Sequence, residues 1–134
     1  MPMTHMVLEW VKVGVDDLPD MEDSFLYALV RNRQLLYIGM SYHTDIAVEV
    51  KQNMASFSIA ARNLDVYLGY CERVNAARIT RPLIHDIEAL LILDNQPRYN
   101  THHIDKYTGR AGLKATNKGC PYIKKTSTSD WQED

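Results

Sequence analysis

A chain of 134 residues, 46% hydrophobic and 24% charged, is long enough for one packed core and ordinary in composition for a globular domain. A net charge of −2 and a pI near 6.2 are not those of a uniformly basic nucleic-acid-binding module, and no apolar run approaches the roughly 18 residues of a membrane span. Cys71 and Cys120 match no metal-ligand spacing, and charges at Glu9, Lys12 and across residues 16–23 interrupt any N-terminal apolar run, so a cytoplasmic chain with reduced thiols and no secretory signal is expected.

In chain order, Trp10-Val11-Lys12-Val13 reads either as a small strand or as an anchor packed on the core. The Asp16-Asp17-Leu18-Pro19-Asp20 cluster is a loop. Two aromatic-rich apolar runs then flank the tetrad Arg31-Asn32-Arg33-Gln34, which predicts a β-hairpin with strands near 25–30 and 35–39. Alternation puts Phe25, Tyr27 and Leu29 on one face of the first strand. On the return strand it puts Leu35, Tyr37 and Gly39 on one face, with Leu36 and Ile38 on the other. Tyr27 and Tyr37 then stand near each other, either as two structural tyrosines or as part of a site.

Thr44 or Asp45 can cap a helix near 45–55, whose apolar positions Ile46, Val50 and Met54 define a single face. Residues 64–71 alternate as a third strand. A second helix is predicted over 81–94, opened by Thr80-Arg81-Pro82 and stopped before Pro97, with Ile84, Ile87 and Leu91 as its buried stripe and Leu83, Leu90 and Leu93 widening it. Glu88 falls inside that stripe. A carboxylate there must be paired, hydrogen-bonded, metal-bound or at the stripe's edge, because an isolated buried charge is very costly.

Charge is distributed unevenly. Residues 9–23 carry Glu9, Asp16, Asp17, Asp20, Glu22 and Asp23 against Lys12 alone, while residues 102–125 carry Lys106, Arg110, Lys114, Lys118, Lys124 and Lys125 against Asp105 alone. The basic end is either a phosphate-binding segment or a solvated arm folded onto the acidic end. Gly109, Gly112, Gly119 and Pro121 break every periodic pattern there, so residues 102–134 are expected to be an irregular extension of a domain spanning 1–101.

The order of these features resembles the GIY-YIG endonuclease superfamily. Leu26-Tyr27-Ala28 stands where the family has Gly-Ile-Tyr, and Tyr37-Ile38-Gly39 matches the second motif outright. Glu88-Ala89-Leu90-Leu91-Ile92 followed by Pro97-Arg98-Tyr99-Asn100 resembles the family's glutamate helix and closing Pro-x-x-Asn segment. The resemblance implies an α+β fold with a three-stranded antiparallel sheet flanked by helices, and phosphodiester hydrolysis with one Mg²⁺ or Mn²⁺ held by Glu88. It implies further that Tyr27 and Tyr37 position or deprotonate water, and that Asn100 orients the substrate or the tyrosines.

The family's helix arginine and the histidine after it are missing. Allowing two extra loop residues, Glu49 and Asn53 occupy those positions; without that allowance, Ala47 and Lys51 do. Hydrolysis is therefore expected to be weak, altered or lost. Lys51, Arg31, Arg33, Lys106 and Arg110 are the candidate phosphate-binding cations. The function expected is that of a nucleic-acid-directed protein meeting the DNA backbone. The alternative is a non-catalytic protein that takes a nucleotide-like ligand in the old phosphate pocket, or a protein partner on the fold's surface.

Overall fold

The computed structural model describes residues 3–19, 26–42 and 45–129. Strands β1 (Thr4–Gly14), β2 (Leu26–Arg31), β3 (Gln34–Met40), β4 (Leu64–Val74), β5 (Leu113–Lys118) and β6 (Thr126–Thr128) join with helices α1 (Ile46–Ser56) and α2 (Arg81–Asn95). The strands form one six-stranded sheet in the order β3-β2-β4-β1-β5-β6. All pairings are antiparallel except β1 with β5, which run parallel.

This overturns the expected three-stranded antiparallel sheet with an irregular tail. β1 is a full strand: Met6, Leu8 and Trp10 face the core while Glu9, Val11 and Lys12 are exposed. β5 and β6 alternate too, but with small and polar inward residues that read as loop in sequence. Asn117 is buried yet satisfied, accepting from Trp10 Nε1 at 2.9 Å and donating to the Lys124 carbonyl at 2.9 Å. Ser129 closes the turn of chain after β6 by bonding both main-chain groups of Leu113. Gly119 is required where it stands: its φ is +93°, and a Cβ would lie 2.3 Å from the Trp10 carbonyl oxygen.

Part of this basic region lies beside the acidic N-terminal stretch, Lys118 standing opposite Glu9 in the pairing of β1 with β5; Asp20, Glu22 and Asp23 of that stretch lie outside the described residues. Lys118 pairs with Glu72, Lys124 with Asp94 and Arg110 with Asp86.

The sheet separates two cores. Met6, Leu8, Trp10, Leu26, Ala28, Val30, Ile38, Leu113 and Ala115 pack under α2 through Leu83, Ile84, Ile87, Leu90 and Leu91. On the opposite face, Tyr27, Leu29, Leu36, Leu64, Val66 and Leu68 receive Ile46, Val50 and Met54 of α1. Both helices are capped as their sequences require. The Asp45 carboxylate accepts from the Ala47 and Val48 amides, and Thr80 Oγ1 accepts from the Leu83 amide. Thr44, the other candidate cap, and Phe25 lie outside the described residues. Gln96, in the left-handed region at φ 50°, ends α2 before Pro97. No helix among the described residues is long and apolar enough to cross a membrane.

The hairpin contains one correction that matters for the site. Leu29 pairs with Tyr37 but Val30 pairs with Leu35, so Leu36 is an extra, bulged residue. The bulge reverses the alternation before it. Leu36 packs with Tyr37 and the α1 core, whereas Leu35 joins Ile38 and Met40 on the α2 side.

The two-residue turn has Asn32 at φ 50° and Arg33 at φ 67°, the type I′ geometry that favours Asn-Gly. A left-handed non-glycine residue costs about 1–2 kcal/mol, partly offset by the about 0.4–1 kcal/mol that glycine adds to the unfolded chain's entropy. Arg33→Gly should accordingly raise the unfolding free energy by a net ~0.5–1 kcal/mol in a urea titration.

Candidate functional site

The β3 edge of the sheet is where the site forms, because residues from both helices reach it. Tyr27 on β2 lies opposite Gly39 on β3, and its ring crosses the space a side chain would fill: a Cβ on Gly39 would sit 2.4 Å from Tyr27 Cζ. Tyr27 is fully buried, and burial, with Tyr37 and Glu49 nearby, pushes its ionisation far above the ordinary tyrosine value. It stays a neutral phenol.

The Tyr37 ring stands 6.1 Å from that of Tyr27 and is only half-buried. Its ionisation is also pushed up, first by burial and then by Glu88 and Glu49. Asn53 joins the two hydroxyls: its Nδ2 donates to Tyr27 Oη at 2.5 Å, and its Oδ1 accepts from Tyr37 Oη at 3.3 Å. The same Nδ2 donates back to the Glu49 carbonyl at 3.1 Å. Glu49 and Asn53 are therefore the α1 residues that face the tyrosines, while Lys51 is exposed away from them.

Glu88 approaches from α2. Together Tyr27, Tyr37, Met40, Tyr42, Glu49, Asn53, Arg81 and Glu88 line a compartment of about 310 Å³. Burial, and secondarily the Glu49 carboxylate, push Glu88 up to about 7. Among the described residues no ion pair reaches it, so of the expected alternatives it is not the paired carboxylate.

A second compartment of about 480 Å³ continues past Glu88 and Tyr37, which line both. Its other walls are Phe57, His85, Ile92, Asn100, Thr101, His102 and His103.

Asn100 is buried in this cleft, and its side chain is engaged with the main chain. Its Oδ1 accepts from the Ile38 amide at 2.9 Å, and its Nδ2 donates to the Ile38 carbonyl at 3.0 Å. With the Arg98 and Tyr99 amides donating to the Leu35 and Leu36 carbonyls, the segment after α2 pairs along the open edge of β3. Asn100 thus holds the Tyr37-Ile38-Gly39 strand in position.

Of the cations expected to bind phosphate, none lines either compartment. Arg31 donates to the carbonyls of Ala60 and Arg62. Arg33 is exposed in the hairpin turn and Lys106 in the loop after α2, and Arg110 is held 2.8 Å from Asp86. The cation that does line the cleft is Arg81, which sequence reasoning missed. Its signal was present: Arg81, His85, Glu88 and Ile92 recur at helical spacing, one polar-to-apolar stripe of α2 along the cleft.

Among the described residues no group of three or more His, Cys, Asp or Glu side chains is arranged to hold a metal. The donor set at hand is two neighbouring carboxylates, Glu88 and Glu49, one of them raised by the other's charge. Oxygen-only donors in so small a number suit a hard cation that keeps several waters, Mg²⁺ or Mn²⁺, and not a zinc cage. No family model, curated protein or solved structure matches the chain.

Two measurements test these assignments. Asn100→Ala leaves the Ile38 amide and carbonyl without partners at the strand edge and should cost about 2 kcal/mol. Amide exchange at Ile38 should accelerate, and Asn100→Asp, which keeps only the acceptor, should fall between. For Glu88, a native value of about 7 against an ordinary 4.5 means the folded chain binds the proton more tightly than the unfolded one. Stability contributed by protonated Glu88 is therefore lost as pH rises through that window, by up to roughly 3 kcal/mol. Glu88→Gln should remove this slope, gaining on the wild type in unfolding titrations as pH goes from about 5 to 7.5.

Proposed function

We propose that the chain is a divergent relative of the GIY-YIG nucleases that binds the phosphodiester backbone of nucleic acid, DNA foremost, in the cleft between α1, α2 and the β3 edge. The observation that carries this is the gathering of Tyr27, Tyr37, Glu49, Asn53, Glu88 and Arg81 around one compartment. Two carboxylates sharing a pocket repel each other unless one is protonated or a cation lies between them. A Mg²⁺ or Mn²⁺ ion held by Glu88 with Glu49 would supply positive charge to a phosphoryl oxygen and to a bound water. Arg81 supplies a fixed positive charge at the same compartment.

The residues also limit the chemistry. Tyr37, kept protonated by burial and by two nearby carboxylates, donates a hydrogen bond and does not take a proton. Tyr27 lies buried at the back of the compartment and holds the Tyr37 hydroxyl through Asn53. Glu49, where an arginine is expected, repels the phosphate and draws the cation away from it. Hydrolysis is therefore slow or lost. Both cysteines are free thiols, in keeping with a cytoplasmic chain.

The second reading, a binding protein without turnover that holds a nucleotide-like ligand in this cleft, is favoured by Glu49 and Asn53 standing where an arginine and a histidine are expected.

In gel shifts at rising salt, affinity for DNA should fall steeply, and Arg81→Ala should reduce the slope of log affinity against log salt by about one. Absence of any complex with duplex, branched or single-stranded DNA at low salt would refute the proposal. In a plasmid-nicking assay with Mg²⁺ or Mn²⁺, wild-type turnover should be near background. Glu49→Arg should raise it about 10²-fold and Glu88→Ala should abolish that gain. Rapid nicking by the wild type would overturn the role assigned to Glu49.

A further inference from the structure

We infer that the second compartment is a pocket for one unpaired nucleobase beside the bound phosphate, so that the chain selects single-stranded or frayed DNA over intact duplex. This deepens the reading of the cleft as a phosphate site and rests on it. Because Tyr37 and Glu88 line both compartments, the two adjoin, and a group in the second lies beside the group bound in the first. For a polynucleotide, that neighbour is the adjacent nucleotide.

Size and walls then define which part of it enters. A hollow of about 480 Å³ lies within the range of single small-ligand sites and has no room for a base pair with its two backbones. The walls are rich in π systems. Phe57 stands 5.2 Å from Tyr37; behind it, outside the lining, Tyr99 lies 6.0 Å away with the Arg98 guanidinium 5.3 Å over its ring. From α2 and the segment after it come His85 and His103, edge to face at 5.2 Å, with His102 beyond at 6.4 Å. Bases stack on such surfaces whatever their identity, and an unstacked base is the form that can enter.

The electrostatics favour a base over a second phosphate. Burial, then His85 and His102, hold His103 below its ordinary value, opposed only by Asp86, so its ring is neutral near pH 7. The neighbouring carboxylate of Glu88 repels anions further. Neutral imidazoles both donate and accept, as a base edge requires. His103 is also held in the left-handed region, at φ 67°, a conformation in which a non-glycine residue is sparsely found.

The test uses the full-length chain and fluorescence anisotropy at low salt with Mg²⁺. Its probes are a single-stranded oligonucleotide, the same strand with abasic sites, a blunt duplex, and a duplex with a single-stranded overhang. Abasic sites remove the base and leave every phosphate, so they isolate the proposed contact without altering the protein. The single strand and the overhang should bind at least about fivefold tighter than the blunt duplex and the abasic strand. Phe57→Leu and His103→Ala should weaken the single strand by a similar factor, leave the blunt duplex within twofold, and add nothing on the abasic strand.

Equal affinity for all four probes would overturn the base pocket while leaving phosphate binding intact. Failure of all four to bind would overturn phosphate binding and the pocket with it. Because the abasic comparison is made on the wild type, it decides the matter even if a variant does not fold.

Discussion

The pair of hydrogen bonds between the Asn100 side chain and the Ile38 peptide is the constraint on which the site depends. β3 is an edge strand, and an edge with unpaired main-chain groups twists, slips register or pairs with other chains. Here the segment after α2 occupies that edge, and its last bonds are made by a side chain that copies the pattern of a neighbouring strand. The consequence is geometric. Tyr37 belongs to the strand being held and Glu88 to the helix from which the holding segment extends, so their separation is set by a covalent and hydrogen-bonded loop. Neither residue could drift without breaking a bond to Ile38.

Charge in the cleft is arranged across elements in the same way. α1 contributes Glu49 and the amide of Asn53, and α2 contributes Arg81 at its first residue and Glu88 two turns later. Where the resemblance to the GIY-YIG nucleases leads one to expect a positive charge on the first helix, this chain places its arginine on the second. Arginine keeps its charge whatever its surroundings, so the charge reaches the compartment with a different direction and without the repulsion from Glu49 being removed.

Much of the hairpin and both helices could be read from sequence because each carries a local signal. Period-two alternation marks β2 and β4, four-residue spacing of Ile46, Val50 and Met54 marks α1, and Pro82 with Pro97 brackets α2. What could not be read was non-local. β5 has the polar sequence Leu-Lys-Ala-Thr-Asn-Lys, and its burial makes sense only once Trp10 is found donating to Asn117. The bulge at Leu36 has no local mark, since either leucine satisfies either face. Of the site, Glu88 stands out as a carboxylate within an apolar stripe, whereas Tyr27, Tyr37 and Asn100 are singled out only by the resemblance to the GIY-YIG motifs. Arg81 is marked only by its helical spacing to His85, Glu88 and Ile92, and an arginine beside a helix start otherwise looks like ordinary surface until the cleft on that side is seen.

The parallel pairing of Thr4–Glu9 with Leu113–Lys118 has a consequence for how this chain is made. β1 lies inside the sheet, yet one of its two neighbours, β5, follows it only after every other long strand and both helices have been made. Until that segment arrives, β1 presents an open, apolar edge, and β4 alone shields it. Pairings between segments so far apart in sequence are slow to form and leave intermediates prone to association. Shortening the chain before Leu113 would thus leave the cleft residues in place in sequence while uncovering a sticky strand at the centre of the sheet. Such fragments belong with chaperones or in aggregates, even though the candidate site lies toward the opposite, β3 edge.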